Sequence, residues 1–211
     1  QIFPLMERAI EKCTRVVDRH TMAPSSRNRK SFKRPVLNKW IDDNYRVIGQ
    51  SYYMKGDYPK AEEIFTYLSR TVASPDAEAW AFSWLGRTHM RTGNEIKAKN
   101  ALGKAQGLRE SSDEAMIHTQ MVLAQFSLLD DRYDAAIEHL EKALSLMRKR
   151  DPRRARTTFV LAQCLRSGGE IERAIEQFQA VVDMRWEDYE WVFQGNIQQA
   201  MTYERRNGNS E

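Results

Sequence analysis

An 18-residue block recurs four times along the 211-residue chain. The blocks begin at Ile48, Leu85, Leu123 and Leu161, so that their starts are almost evenly spaced. Each block has Ile or Leu followed by Gly or Ala, then a polar turn, then an Ala with Phe or Leu four residues later. The period of about 38 residues lies in the range of about 20–50 residues that indicates stacked structural repeats. We therefore expect a fold that grows by adding units, each packed on its neighbours, and not one large core.

Each block is predicted to be a helix, a turn and a second helix. In the first block, IGQSYYMKGDYPKAEEIF, Gly56 and Asp57 interrupt two apolar-patterned segments. Gly49 is placed where the first helix packs closely on the second, because a larger side chain would force the two helices apart. Ala61 serves the same contact from the second helix, and apolar residues at helical spacing fill the space between neighbouring pairs. The other blocks carry Gly86, Ala124 and Ala162 at the Gly49 position.

The blocks resemble the tetratricopeptide repeat, whose first helix reads W-x2-L-G-x2-Y and whose second helix carries A-x3-F. The first-helix motif is clearest in Tyr45-x2-Ile48-Gly49-x2-Tyr52 and Phe82-x2-Leu85-Gly86-x2-His89, and it weakens in the third and fourth blocks. The second-helix motif recurs as Ala61-x3-Phe65, Ala98-x3-Leu102, Ala136-x3-Leu140 and Ala174-x3-Phe178. The resemblance implies an all-α, right-handed superhelix (an α-solenoid) of about four helix pairs with partial units at both ends.

The repeat divides the chain into segments with different expected roles. Residues 1–20 are predicted to form an amphipathic helix like the second helix of a truncated repeat, and residues 21–38 a basic inter-repeat loop. Four helix pairs are predicted over residues 39–187, at about 39–73, 75–110, 112–150 and 152–186. Residues 188–211, with Ala200 one period after Ala162, are predicted to be the first helix of a fifth, truncated repeat. We expect a longer array that has been cut at both ends.

Helix starts are predicted where a short polar side chain precedes an apolar helical pattern. The predicted N-caps are Asp57, Ser74, Asp134 and Asp151, and Ser111 as part of a capping box with Glu114. Ser74 and Asp151 are each followed by a proline, which suits the first position of a helix.

The sequence shows no catalytic or metal-binding motif. Metal, nucleotide and nucleophile signatures such as H-E-x-x-H, G-x-x-x-x-G-K-[ST] and G-x-S-x-G do not occur. Cys13 and Cys164 lie on apolar helix faces and are predicted to be buried free thiols. His89 replaces a packing tyrosine and is expected in the core, whereas His20, His118 and His139 are predicted to be single and unpartnered. We predict no enzyme activity, no cofactor and no metal.

The net charge of +4 is unevenly distributed. Residues 1–36 hold nine Lys/Arg and three Asp/Glu, a balance of +6, so the remaining residues carry 4 − 6 = −2. The basic loop offers candidate partner-binding residues: Arg27, Arg29, Lys30, Lys33 and Arg34. Because the rest of the chain is acidic, a continuous track for nucleic acid is not expected. A solvated loop, or a patch facing lipid or protein, is the alternative interpretation.

In tetratricopeptide arrays the first helices line a concave groove, and the resemblance implies the same here. The candidate partner-binding residues in this groove are Arg46, Gln50, Tyr53, Trp84, Arg87, Met90, Arg91, Gln125, Arg156, Gln163 and Arg166, with His118, Met121, Leu128 and Phe159 beside them. Arginine presents a planar fork that suits carboxylates and peptide carbonyls, so the predicted partner is a peptide segment or an acidic protein surface. The alternative is that these are ordinary solvated helix residues.

One groove code of the tetratricopeptide family does not fit the sequence. Chaperone-tail-binding domains hold a terminal carboxylate with a clamp of Lys, Asn, Asn, Lys and Arg. The matching positions here are Arg46, Gln50, Trp84, His118 and Val122, of which only the first keeps the charge. A chaperone-tail adaptor is therefore not expected.

Residues 5–70 have a more individual character than the repeat alone. MERAIEKCTRVVDRHTM, a basic loop, and LNKWIDDNYRVIGQSYYMKGDYPKAEEIF together resemble the tetratricopeptide lipoproteins of the type IX secretion and gliding-motility apparatus (PorW/SprE-like). The resemblance implies a lipoprotein on the periplasmic face of the outer membrane that couples the translocon to periplasmic ring or motor parts. Its lipid anchor would lie upstream, since neither Cys13 nor Cys164 sits in a lipobox.

The sequence therefore predicts a non-enzymatic scaffold for protein–protein interaction. The alternative is a generic cytoplasmic tetratricopeptide adaptor or regulatory module that binds a peptide in its concave groove. A signal peptide and lipobox in the full-length gene would distinguish the secretion component from the cytoplasmic adaptor.

Overall fold

The computed structural model describes residues 4, 7, 8, 10–15, 37–72, 74–108, 111–184 and 189–208. Residues 10–15 are helical, and the later described residues form helices joined by short turns, with no strand among them. The bounded helices of this described part are α1 (Leu37–Lys55), α2 (Tyr58–Thr71), α3 (Pro75–Arg91), α4 (Glu95–Gly107), α5 (Asp113–Leu128), α6 (Tyr133–Leu146), α7 (Arg154–Ser167), α8 (Ile171–Asp183) and α9 (Tyr189–Gly208). The all-α prediction is confirmed.

The chain divides into two compact units, Gln1–Ser111 and Ser112–Glu211. In the first unit α1 packs on α2, α2 on α3 and α3 on α4, and α1 also touches α3. In the second unit α5 packs on α6, and each later helix up to α9 packs on the helix before it. Within each unit the helices thus form antiparallel hairpins stacked in sequence order, the arrangement that a helix-turn-helix repeat produces.

Glycine sets the close spacing of the two helix pairs in the first unit. A Cβ atom at Gly49 would lie 2.5 Å from Phe65 Cε1, and one at Gly86 would lie 2.5 Å from Leu102 Cδ2. In the second unit Ala124 and Ala162 take the same position and are 1% and 0% exposed. The predicted close approach between the first and second helix of a pair is therefore confirmed.

Each unit has its own apolar core built from the repeat positions. The core of the first unit comprises Ala61, Phe65, Leu68, Ala81, Trp84, Leu85 and Ala101. A larger core in the second unit includes Ala136, Leu140, Phe159, Ala162, Leu165, Ala174, Phe178 and Val181. Phe159 and Phe178 meet edge to face with ring centroids 5.7 Å apart, a geometry that adds about 0.5–1.5 kcal/mol to simple burial.

The turns within the pairs need a left-handed backbone residue. Gly56, Gly93 and Gly169 have φ of 81°, 71° and 90°, which glycine adopts without a steric penalty. The third pair uses Asp131 at φ 51° instead, and Tyr133 Oη donates a hydrogen bond to Asp131 Oδ1 at 2.9 Å. A short polar side chain tolerates this conformation better than most residues.

The predicted caps of the second helices had mixed outcomes. Asp57 caps α2, because its Oδ1 accepts a hydrogen bond from Lys60 N at 3.4 Å. The prediction for Asp134 is wrong, since α6 begins one residue earlier at Tyr133 and its N-cap is Arg132. The sequence pattern located this turn correctly but not its last residue.

The predicted caps of the first helices were mostly wrong. Ser74 stands at the cap position of α3 but makes no capping hydrogen bond with its side chain. Ser112, and not Ser111, caps α5 by accepting from Ala115 N at 3.4 Å. Asp151 does not cap a helix that begins at Pro152, because α7 begins at Arg154.

Arg153 explains why the last two predictions failed. Its Nη1 and Nη2 donate to the two carboxylate oxygens of Glu114 at 2.6 and 2.8 Å, and Nη2 also donates to Asp151 Oδ2 at 2.7 Å. Glu114 therefore bonds to a guanidinium and does not close a capping box. The hydrogen bonds from Arg153 lower the pKa of Asp151 below its ordinary value.

Candidate functional site

A continuous surface of aromatic and arginine side chains runs across α1 and α3 in the first unit. We call it the arginine–aromatic strip, and it consists of Arg46, Tyr53, Trp80, Trp84, Arg87 and Arg91. The ring centroids of Trp80 and Trp84 are 5.6 Å apart, and those of Trp84 and Tyr53 are 5.3 Å apart. The three rings thus form one connected row, which the two first helices can share because α1 touches α3.

Each arginine of the strip is held by one of these rings. The guanidinium carbon of Arg46 lies 4.8 Å from the centroid of Trp80, and that of Arg87 lies 4.9 Å from Trp84. Arg91 Nε donates a hydrogen bond to Tyr53 Oη at 3.2 Å. A cation–π interaction between an arginine and a ring contributes about 0.5–2 kcal/mol of stabilisation. The in-plane N–H groups of the arginine then stay directed along the surface. The row of rings therefore fixes the positions of three cationic forks.

Arg46 is the least satisfied of the three. Its Nε is buried and has no hydrogen-bond partner, and its side chain is 28% exposed. The nearest carboxylate is that of Asp43, with 3.7 Å between Nη1 and Oδ1. A buried donor without a partner costs about 1–3 kcal/mol.

The other predicted groove residues of the first unit differ in exposure. Trp84 is 7% exposed and packs on Phe65, so it forms the floor of the strip more than its surface. Gln50 and Met90 are half-buried beside the strip, and Arg91 is exposed. Their predicted role in binding stays a prediction, but the structure does place most of them around one row of rings.

The second unit has a row of rings formed by Phe178, Phe159 and Trp191, and one predicted groove arginine, Arg166, lies on it. Arg166 Nη1 donates to Gln198 Oε1 at 2.6 Å, and its guanidinium lies 5.8 Å from the centroid of Phe178. Phe159 is 7% exposed within the core, and Arg156 is exposed. The remaining candidates are half-buried: His118, Met121, Gln125, Leu128 and Gln163.

The candidate residues of the basic loop cannot be placed. Arg27, Arg29, Lys30, Lys33 and Arg34 lie outside the described residues. Binding through this loop stays a prediction.

The sequence analysis did not predict Trp80, whose ring lies under the guanidinium of Arg46. Trp80 lies one helical turn before Trp84, and residues four apart share a helix face, so this spacing could have revealed it. Gln198 was also missed, because its contact with Arg166 joins α9 to α7, two helices that are distant in the sequence. No local signal marks such a pair.

Two histidines outside the strip, the buried His89 and the half-buried His139, test the sequence predictions. The prediction that His89 lies in the core is confirmed, and desolvation lowers its pKa although Glu62 Oε2 lies 3.9 Å away. The prediction that His139 is unpartnered is wrong, since its Nδ1 bonds to Oε1 of the fully buried Gln120 at 2.7 Å. Desolvation also lowers the pKa of His139.

The described residues contain no group of three or more His, Cys, Asp or Glu side chains that could hold a metal ion. Cys164 is 3% exposed, as predicted, and burial raises the pKa of its thiol to about 11. Cys13 is only half-buried and packs against Ile48. In the part of the chain that the structure describes, no helix has the length and apolarity that a membrane span requires.

Comparison with known proteins identifies the repeat. Residues 113–185 match the family model described as tetratricopeptide repeat. No curated protein matches the chain significantly.

Solved structures share the fold at low sequence identity. BtubC (BKLC) from P. vanneervenii has a TM-score of 0.77 at 17% identity, covering 96% of this chain and 84% of that one. A putative kinesin light chain of Podosopora anserina with TPR-like repeats has a TM-score of 0.65 at 17% identity, covering 80% and 88%. TTC0263, a TPR protein of Thermus thermophilus, has a TM-score of 0.58 at 16% identity, covering 96% and 94%. Residues 113–185 are thus similar to tetratricopeptide repeats, and the chain has the α-solenoid fold of these solved structures.

Proposed function

We propose that the chain is a non-enzymatic scaffold that binds acidic peptide segments on the arginine–aromatic strip. The observation that carries this proposal is the row of rings Trp80, Trp84 and Tyr53, which holds Arg46, Arg87 and Arg91 along one surface. Carboxylates accept paired hydrogen bonds from arginine, and these are roughly twice as strong as bonds between neutral groups. Tyr53 and Trp80, which are half-buried, supply apolar area for the neighbouring side chains of a peptide.

The arginines of the second unit support this choice by contrast. Arg153 bonds to two carboxylates of its own unit, and Arg173 bonds to Glu141 at 2.5 Å and also to Glu170. Arg154 Nη1 donates to the carbonyl oxygens at the end of α6. These guanidinium groups form close charged hydrogen bonds within their unit, whereas the ion pair of Arg46 with Asp43 is longer, at 3.7 Å between Nη1 and Oδ1.

The proposal is tested by selecting peptides from a random display library on the immobilised chain. We expect the enriched peptides to contain Asp or Glu, and the affinity of the best peptide to fall at least about tenfold in R46E/R91E, because two attractive contacts become repulsive. The matched control is R148E/R150E, which changes the net charge equally at two exposed arginines of the second unit. Enrichment of peptides without acidic residues, or an equal loss of affinity in the control, would contradict the proposal.

We also propose that the scaffold works in the type IX secretion and gliding machinery, as a lipoprotein on the periplasmic face of the outer membrane. The support is the resemblance of residues 5–70 to tetratricopeptide lipoproteins of that apparatus. Its partners would then be other secretion-machine proteins. The alternative is a cytoplasmic adaptor that uses the same strip for a peptide of a different partner.

The cellular proposal has its own test. We expect the full-length gene to encode a signal peptide and a lipobox upstream of residue 1, and the native protein to fractionate with the outer membrane. Affinity capture from envelope membranes should recover secretion-machine proteins, and Arg87→Glu with Arg166→Glu should reduce that recovery. A gene without a signal peptide would favour the cytoplasmic adaptor and leave the peptide-binding proposal standing.

A further inference from the structure

The arginine–aromatic strip runs along one face of α3. Trp80, Trp84, Arg87 and Arg91 follow one another at intervals of four, three and four residues, which places them on the same side of the helix. A helix rises about 1.5 Å per residue, so these positions extend over about 16 Å of its axis. The strip is therefore a line of side chains with two distinct ends, and a bound segment would contact them one after another.

The row of rings continues one ring beyond the strip. Tyr58, the first residue of α2, meets Tyr53 edge to face with ring centroids 5.6 Å apart, and it is half-buried. From Trp80 through Trp84 and Tyr53 to Tyr58, neighbouring centroids lie 5.6, 5.3 and 5.6 Å apart. The row thus has an almost constant step, and Tyr58 lies next to the ring to which Arg91 bonds.

The three guanidinium groups follow the order of the rings. Arg46 and Arg87 lie on the first two rings, and Arg91 bonds to the third. The four residues from Arg87 to Arg91 correspond to about 6 Å along the helix axis. Side chains at alternate positions of an extended peptide point the same way and lie about 6.6 Å apart. Carboxylates at alternate positions of a peptide therefore match the step between neighbouring arginines.

The two ends of the row differ chemically. Beside Arg46 lies the carboxylate of Asp43, with 3.7 Å between Nη1 and Oδ1, so a further acidic residue of a peptide would be repelled there. At the other end Tyr58 offers a half-buried ring, on which an aromatic side chain can pack edge to face. The row therefore suits a segment whose acidic residues adjoin an aromatic residue at the Tyr58 end.

An extended segment fits this surface better than a helical one. A helix with its side chains is about 10–12 Å wide. In the first unit α1 and α3 touch each other, so no gap of that width separates them. An extended chain that directs every second side chain toward the row makes the closer contact.

We propose that the strip recognises an extended segment with acidic residues at three alternate positions and an aromatic residue at the next alternate position. The carboxylates bind Arg46, Arg87 and Arg91 in turn, and the aromatic side chain packs on Tyr58. This inference rests on the proposed function, to which it adds the sequence pattern of the partner and a residue that determines specificity.

Labelled synthetic peptides of identical composition test the pattern by fluorescence anisotropy with the whole chain. One peptide has three Glu at alternate positions and Phe at the next alternate position, and its isomer has three consecutive Glu. Each is made in both chain directions. We expect the alternating peptide, in its better direction, to bind at least about tenfold more tightly than the isomer in either direction, because only alternate carboxylates reach all three arginines together.

The role of Tyr58 has its own test. We expect Tyr58→Ala to weaken binding of the alternating peptide at least about threefold, and Tyr58→Phe to retain it, because the ring supplies the contact. A peptide with Ser in place of Phe should bind equally to all three chains. The matched control is Tyr67→Ala, which removes a ring that is 39% exposed in the same helix and should leave both affinities unchanged. Circular dichroism melts check that each variant is folded.

Two results would overturn this inference and leave the proposed function standing. One is an isomer with consecutive Glu that binds as tightly as the alternating peptide and is still weakened by R46E/R91E. The other is a Tyr58→Ala variant that keeps the full preference for Phe over Ser in the peptide. An absence of binding by every acidic peptide at about 1 mM would overturn the proposed function as well.

Discussion

At the scale of single residues, the smallest side chains decide how closely the helices of a pair approach. Gly86 faces the fully buried Leu102, whereas Gly103 in α4 has no atom within 4 Å of an added Cβ. The two glycines lie in neighbouring helices of the same pair. They therefore separate the effect of helix propensity from the effect of packing.

We expect Gly86→Ala to destabilise the first unit and Gly103→Ala to stabilise it. Alanine gains about 1 kcal/mol of helix propensity at either site. At Gly86 the new Cβ would lie 2.5 Å from Leu102 Cδ2, and overpacking of this kind costs about 1–3 kcal/mol. Urea denaturation of the two variants checks the opposite signs. A stabilised Gly86→Ala would mean that Leu102 moves aside freely.

The pair of His139 and Gln120 makes the second unit sensitive to pH. Desolvation lowers the pKa of His139 in the folded state, so the unfolded state binds more protons between the folded and unfolded pKa values. We expect the free energy of unfolding to fall as the pH drops below about 6.5, the unperturbed value. Denaturation at pH 7.5 and pH 5 should show a smaller decrease in His139→Gln than in the wild type. An equal decrease in both would assign the effect to other groups.

Residue-scale features were predictable where they belong to the repeat. Gly49, Gly86 and the buried His89 follow from the alignment of the blocks. The bond between His139 and Gln120 joins two helices of one pair, and polar partners of this kind leave no periodic signal. Contacts such as these depend on the tertiary structure alone.

At the scale of elements, the loop before α7 is held by ion pairs of Arg153 that the sequence pattern does not show. The pattern predicted a polar turn within each pair, at Gly56 and Asp57 in the first, and the structure places left-handed residues at Gly56, Gly93, Asp131 and Gly169. It placed the start of α7 too early, since Asp151 accepts from the guanidinium Nε and Nη2 of Arg153 in the loop before the helix. A competing charged partner therefore overrides the local capping preference.

The side chain of Arg153 should contribute more to the free energy of unfolding than the carboxylate of Glu114, to which it bonds across the loop. Its removal leaves Asp151, whose side chain is 11% exposed, without its main hydrogen-bond partner. We expect Arg153→Ala to lower the unfolding free energy by about 1–3 kcal/mol. Glu114→Ala should cost less than about 1 kcal/mol, because the side chain of Glu114 is 70% exposed. Equal losses in thermal denaturation would contradict this ranking.

At the scale of the whole molecule, the periodicity predicted the fold better than the function. The near-constant period of the blocks was enough to predict an all-α solenoid, because each block forms the same helix pair with the same packing contacts. The same uniform spacing gave no sign that the chain divides into two compact units after Ser111. It also treated the grooves of both units alike, whereas the row of rings in the first unit supports three arginines and the row of Phe178, Phe159 and Trp191 in the second unit supports Arg166.

The central claim is that Arg46 and its neighbours bind carboxylates of a peptide. The most direct measurement is a double-mutant cycle by calorimetric titration, combining Arg46→Met with Glu→Gln at each acidic position of the selected peptide. We predict that one peptide position shows a coupling energy with Arg46 of at least about 1 kcal/mol, as close charged pairs across interfaces do. Coupling energies near zero at every acidic position would contradict the account, even if the peptide binds.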